Sequence, residues 1–236
     1  MMLYSVELFL HCRVTAGKGY RIKVANKGGL SRERIVEAAM DMIDEGGESA
    51  FSMRKLAARL GVDPMAIYHY HKSRRALLHD VLERFLAACD LPEPGADWRD
   101  DLRALCAAIR ALARAHPGVF RLYELYEDWV RAEHRIAEAF HAVLMRAGFG
   151  EDETVRAARL LITYTEAFAV DEVSGWLAPM SEKEGAALRR SLGDDEHPVT
   201  RRLLPQMTRI DPDADFAFGL GIIIRGLEGG LRDQAG

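Results

Sequence analysis

The chain has 236 residues, 49% hydrophobic and 29% charged, with a formal net charge of −4, the composition of a globular protein long enough to bury a sizeable core. No apolar run approaches the ~20 residues a membrane helix requires, and Cys12, Cys89 and Cys106 are too few and too scattered for a disulfide framework or a zinc signature. A reducing, cytoplasmic setting and an absence of metal and membrane partners are therefore expected.

Residues 1–29 read as a loose N-terminal extension, because chain ends are ordered only where something ties them down. Their later part is basic and Gly-rich, so an arm that touches DNA is the competing reading. Ser31 opens the first clear helix, with Ile35, Val36, Ala39 and Ile43 on one face and Gly46-Gly47 as its stop. Ser52 caps a second helix, carrying Leu56, Ala57 and Leu60 at helical spacing. Gly61 ends it, and Asp63 with Pro64 opens a third, MAIYHYH, too short to build a core. Two short helices around a tight Gly-containing turn make a helix-turn-helix pattern.

Ser73 caps the next helix, which runs to Cys89, and the Pro/Gly break at 91–97 reads as the boundary after it. Asp97 caps a long helix that His116-Pro117-Gly118 breaks. A short aromatic helix and another ended by Gly148 follow. Asp152 is expected to start a helix of about twenty residues. Residues 178–197 read as a polar, variable loop with room for one short helix, followed by a short helical piece at Val199–Met207. Asp213 or Asp215 is expected to cap the last helix, FAFGLGIIIRGLEGGL. Nothing alternates in the manner of a strand. The class expected is all-α: a three-helix head at 30–76 and a helical body at 77–236, to which the resemblance given below assigns ligand binding and dimerisation.

Charge divides with this organisation. Residues 1–79 hold thirteen Lys/Arg against eight Asp/Glu, a net of +5, and the remainder a net of −9. A basic end carrying a helix-turn-helix is the footprint of a polyanion binder.

The run RKLAARLGV, then IYHYHKSRRALL, resembles the DNA-binding region of the tetracycline-repressor (TetR) family, and the likeness extends to the glycine-bearing last helix. By position, the resemblance implies that Arg54 contacts a phosphate and that Pro64, Met65 and Ala66 form the groove-facing start of the recognition helix. Tyr68, His69 and Tyr70 would follow as base or backbone contacts, with Lys72 beside them and Arg74 on a phosphate. His71 reads as solvated. Met65 and Ala66 offer only apolar contact, so phosphate positioning and DNA shape are expected to carry a large share of binding.

The resemblance further implies that two C-terminal helices per subunit pair into a four-helix dimer interface. Phe216, Gly219, Leu220, Ile223, Gly226 and Leu227 are its candidates, the glycines suggesting close helix approach. A ligand pocket is expected among Leu105, Ile109, Tyr123, Tyr126, Tyr164 and Phe168, with Trp98, Phe120, Trp129 and Phe140 near it and Thr163 and Glu166 as further polar groups. At the family's drug and magnesium positions stand Leu105, Ile109, Tyr123 and Tyr126, without Asn or His ligands. A flat, more apolar effector and no cofactor are expected.

The sequence holds no Gly-rich phosphate loop, G-x-S-x-G elbow or H-E-x-x-H. The expected function is a homodimeric repressor that leaves a palindromic double-stranded DNA operator when a small molecule binds. Its rivals are an all-α enzyme with an incidental basic first domain, and an architectural DNA binder that responds to no ligand.

Overall fold

A computed structural model describes residues 29–126, 130–192 and 196–234. Residues 1–28 of the expected extension, and Trp129, lie outside the described residues. Among those described, the chain is all-α, with eleven helices and no strand. Ser31 onward forms one compact unit.

Side-chain caps set most of the boundaries in the first third. Ser31 accepts a hydrogen bond from the Arg34 amide and opens α1, Arg32–Gly46. Ser52 accepts from the Lys55 amide and opens α2, Met53–Leu60. Asp63 accepts from the Met65 amide and opens α3, Pro64–Tyr70, and Ser73 accepts from the Ala76 amide at the head of α4, Arg74–Ala87. Each cap satisfies an amide that the first turn leaves unpaired. Gly61 ends α2 with φ 69°, a left-handed conformation that costs glycine nothing.

The body follows as α5 (Trp98–Ala115), α6 (Pro117–Glu124), α7 (Glu133–Ala147), α8 (Glu151–Val173), α9 (Glu182–Ser191), α10 (Pro198–Met207) and α11 (Pro212–Gln234). Three expected boundaries move. Pro117 is the first residue of α6 rather than part of a break, since proline at the first helical position gives up an amide that had no partner. Gly150, not Asp152, precedes α8. Asp211, not Asp213 or Asp215, caps α11, accepting from the amides of Asp213 and Ala214 at 3.1 Å each.

The head core joins Ile35, Val36 and Ile43 of α1 to Leu56 of α2, Ile67 of α3 and Leu77, Val81 and Leu82 of α4, all buried. The body core centres on α5, α7 and α8, through Leu102, Leu105, Phe140, Leu144 and Leu161. Buried ions are matched. Arg110 pairs with Glu172 at 2.8 Å and Asp213 at 2.9 Å, tying α5, α8 and α11 together. Its guanidinium also lies 4.7 Å from the centre of the Phe216 ring and 5.2 Å from that of Phe168. Asp101, also buried, pairs with Arg146.

Candidate DNA-binding surface and effector cavity

The helix-turn-helix is held from behind and open in front. Ile67 is fully buried and fixes α3 on the head core, while Met65 is 63% exposed and Tyr68 and Tyr70 are 37% and 38% exposed. Arg54, His69, Lys72 and Arg74 are also exposed, and Pro64 and Ala66 half-buried. Arg74 is oriented by an ion pair to Glu48 at 2.7 Å and stands over the Phe51 ring. Arg32 reaches across from α1 to the Tyr70 carbonyl at 3.2 Å and to Asp80 at 2.6 Å, which fixes the last turn of α3 against α4. The outer surface thus offers aromatic groups, an imidazole and cations, the chemistry that docks on a polyanion and reads groove edges.

His71 departs from the sequence reading. It is 1% exposed, with Nδ1 2.9 Å from Asp80 Oδ2. Burial pushes its pKa down, while Asp80 pulls it back up. His71 is the extended residue that ends α3, and its side chain packs into the α3–α4 corner four positions on from the buried Ile67, while Tyr68, His69 and Tyr70 stay exposed.

The body holds a cavity of about 190 Å³ between five helices. Phe85 and Leu86 line it from α4, Ile109 and Leu112 from α5, and Phe120 and Tyr123 from α6. Glu133, Ile136 and Ala137 contribute from α7, Ile162 and Glu166 from α8. Apolar walls with a few polar groups are what small-molecule sites have. The Phe85, Phe120 and Tyr123 rings stand 6.3 Å apart, centre to centre. The Tyr123 hydroxyl is 3.5 Å from Glu166. Burial raises the Glu166 pKa to about 7, with Glu124 and Glu133 adding repulsion.

Of the expected pocket residues, Ile109 and Tyr123 line this cavity and four do not. Leu105 is buried in the α5 core. Tyr126 follows α6, with its hydroxyl 3.5 Å from the Arg75 carbonyl. Tyr164 donates to the Phe216 carbonyl at 2.9 Å and stacks on its ring. Phe168 packs edge-on to Phe216. These last two belong to the α8–α11 contact because the aromatic face of α8 meets α11, while Ile162 and Glu166, one turn apart, turn toward the cavity. Phe85, Leu86, Leu112, Glu133, Ile136, Ala137 and Ile162 went unread. Their helical spacing marks them as inward-facing but does not separate cavity wall from packed core.

The expected dimer residues divide as well. Phe216 and Leu220 are buried within the subunit. A Cβ on Gly219 would lie 2.3 Å from the Tyr164 hydroxyl, so the close approach that glycine permits is to α8 of the same chain. Ile223 and Leu227 are half-buried, and Gly226 is exposed. The outward face of α11 instead carries Phe218, 71% exposed, and Ile222, 49% exposed.

Head and body also meet where α6 packs on α1. Asp44, near the end of α1, accepts from the amides of Gly118 and Val119 at 3.0 Å each, and its other oxygen lies 2.8 Å from His116 Nδ1. A Cβ on Gly118 would fall 2.2 Å from the Ile43 carbonyl; only glycine admits α1 this close.

A helix-turn-helix head joined to a helical body with an internal cavity is the architecture of a ligand-regulated DNA-binding protein. The sequence pattern of the bacterial regulatory proteins of the tetR family matches residues 35–81, and that of the tetracyclin repressor-like C-terminal domain matches residues 91–231. The chain belongs to the TetR family of bacterial regulatory proteins. It is 31% identical over 212 residues to the class C tetracycline repressor of Escherichia coli, an alignment spanning 84% of this chain and 91% of that one. It is 28% identical over 201 residues to the class A repressor from transposon 1721 of Escherichia coli, across 84% of this chain and 90% of the relative. The crystal structure of ActR from Streptomyces coelicolor, in complex with actinorhodin, superposes with a TM-score of 0.74 at 26% identity, covering 86% of this chain and 99% of that one.

Proposed function

We propose that this protein is a transcriptional repressor whose hold on a DNA operator is released by a small, largely apolar aromatic molecule bound in the α4–α8 cavity. The observation that carries the reading is the position of two cavity walls. Phe120 and Tyr123 sit on α6, whose first amides are held by Asp44 of α1. Phe85 and Leu86 sit on α4, which begins four residues after the recognition helix ends. A ligand that reshapes the cavity therefore acts on both helices that set the pose of α3. It acts only to the extent that it binds one pose more tightly than the other.

Two recognition helices roughly 34–36 Å apart are needed to read a palindrome along one face of DNA. Exposed Phe218 and Ile222 on α11, with Val155 and Leu160 on α8, support a homodimer through those two helices. The relatives named above are repressors, which supports a regulator over an enzyme. Among the described residues no helix is long and apolar enough to cross a membrane.

The test is binding of the purified protein to the DNA flanking its own coding sequence, followed across a salt series. Specific binding to an inverted repeat is expected. Absence of binding would remove the regulator reading, and tight binding without sequence preference would replace it with an architectural role.

A further inference from the structure

Three acids of low exposure among the described residues are neutralised by arginines. Glu172 sits between Arg110 and Arg114, Asp101 meets Arg146, and Asp80 meets Arg32. The cavity breaks that pattern. Glu133 from α7 and Glu166 from α8, both half-buried, converge on it around the Tyr123 hydroxyl. Among the described residues that line it there is no arginine, lysine or histidine. Glu124 on α6 adds a third negative charge close enough to act on Glu166, and Glu133 also feels His134, which is exposed on α7.

Two carboxylates facing one apolar space without a counter-ion are costly, because a charge removed from water needs a partner. Where the described residues that line the cavity supply none, the occupant can. The walls favour the same occupant: Phe85, Phe120 and Tyr123 line the cavity, and aromatic rings attract a cation through their quadrupoles as well as packing on a flat skeleton. Building on the effector reading above, we infer that the cavity selects a cationic aromatic molecule, a protonated amine on a flat apolar skeleton, with Glu133 and Glu166 as its counter-ions. This narrows the effector from apolar in general to one charge class, and it makes the two glutamates specificity determinants.

Three probes share one skeleton and differ in charge: 9-(aminomethyl)anthracene, 9-anthracenemethanol and 9-anthracenecarboxylate. Their fluorescence on titration with the full-length protein gives three affinities. The cation is expected to bind at least tenfold more tightly than the neutral alcohol, and the anion most weakly. Glu133→Gln should reduce the cation's advantage severalfold, and Glu133→Gln with Glu166→Gln should abolish it while the alcohol still binds. Should the double variant fail to fold, the single variant and the wild-type ranking decide alone. Equal or tighter binding of the neutral alcohol, displaced by filling the cavity with Ile109→Trp, would overturn the charge class and leave the effector cavity standing. Binding of none of the three would overturn both.

Discussion

Asp44 caps a helix to which it does not belong. Its carboxylate accepts from the Gly118 amide, and the same glycine lacks the Cβ that would strike the Ile43 carbonyl. His116, the residue that precedes α6, makes no side-chain cap of its own, so the first turn of α6 is finished by α1. Asp44→Ala should cost about 1–2 kcal/mol, as lost caps do. Gly118→Ala should cost roughly 1–3 kcal/mol, by forcing α6 away from α1. Urea unfolding midpoints measure both. Unchanged midpoints would show that α6 is not seated on α1 in this way.

The Arg110 cluster gives a second stability prediction. Arg110 is 6% exposed and serves Glu172, Asp213 and two aromatic rings together. Without it Glu172 and Asp213 keep only Arg114 among the described residues as an ion-pair partner, a loss of roughly 1.5–3 kcal/mol, the worth of hydrogen bonds to charged groups. Arg110→Ala should therefore destabilise the body by about that amount. Arg103→Ala, which removes an exposed pair with Asp100, should cost less than about 1 kcal/mol. Thermal denaturation of the two variants side by side checks the contrast.

Glu166 links stability to pH. Burial first, and then Glu124 and Glu133, raise its pKa from 4.5 to about 7, against a smaller opposing effect of the Tyr123 hydroxyl. Between those two values the folded protein holds a proton that the unfolded chain has lost. This residue's contribution to stability is therefore full below pH 4.5, falls as pH rises toward 7 and levels off above it. Glu166→Gln should be more stable than wild type above pH 7, on the order of 1–3 kcal/mol, and equal to it near pH 4.5. Melting curves at pH 4.5 and pH 8 provide the comparison.

The dimer prediction follows from which face of α11 is free. Phe218→Asp and Ile222→Asp should give monomers in analytical ultracentrifugation with the subunit fold intact. Phe216→Ala should leave association in place and lower subunit stability by about 3–5 kcal/mol, because that ring is core. Dimers that persist in both aspartate variants would move the interface elsewhere.

The sequence made the head legible almost residue by residue. Its caps are local: Ser31, Ser52, Asp63 and Ser73 each bond an amide two or three positions on, so adjacent letters carry the information. The body was legible as helices but not as a site. Ile162, Tyr164, Glu166 and Phe168 all lie within two turns of α8, and only the packing of α6 and α11 decides which of them meet a cavity and which meet a neighbour. The Asp44 cap joins residues seventy-four apart, and no pattern along the chain announces it. His71 was misread for a related reason: the turn from α3 into α4 rotates it inward, beyond what the spacing of so short a helix can tell.

The most direct test of the account is operator binding by fluorescence anisotropy, using the DNA upstream of this protein's own coding sequence, across a salt series and with each anthracene probe added in turn. The account predicts specific binding that weakens with salt, with Arg54→Ala and Lys72→Ala each lowering the slope of log affinity against log salt by about 2, one phosphate contact in each subunit of the dimer. It predicts release by 9-(aminomethyl)anthracene at concentrations where 9-anthracenemethanol releases little. DNA binding that none of the probes alters, although the cation occupies the cavity, would contradict the claim that this cavity controls the recognition helix.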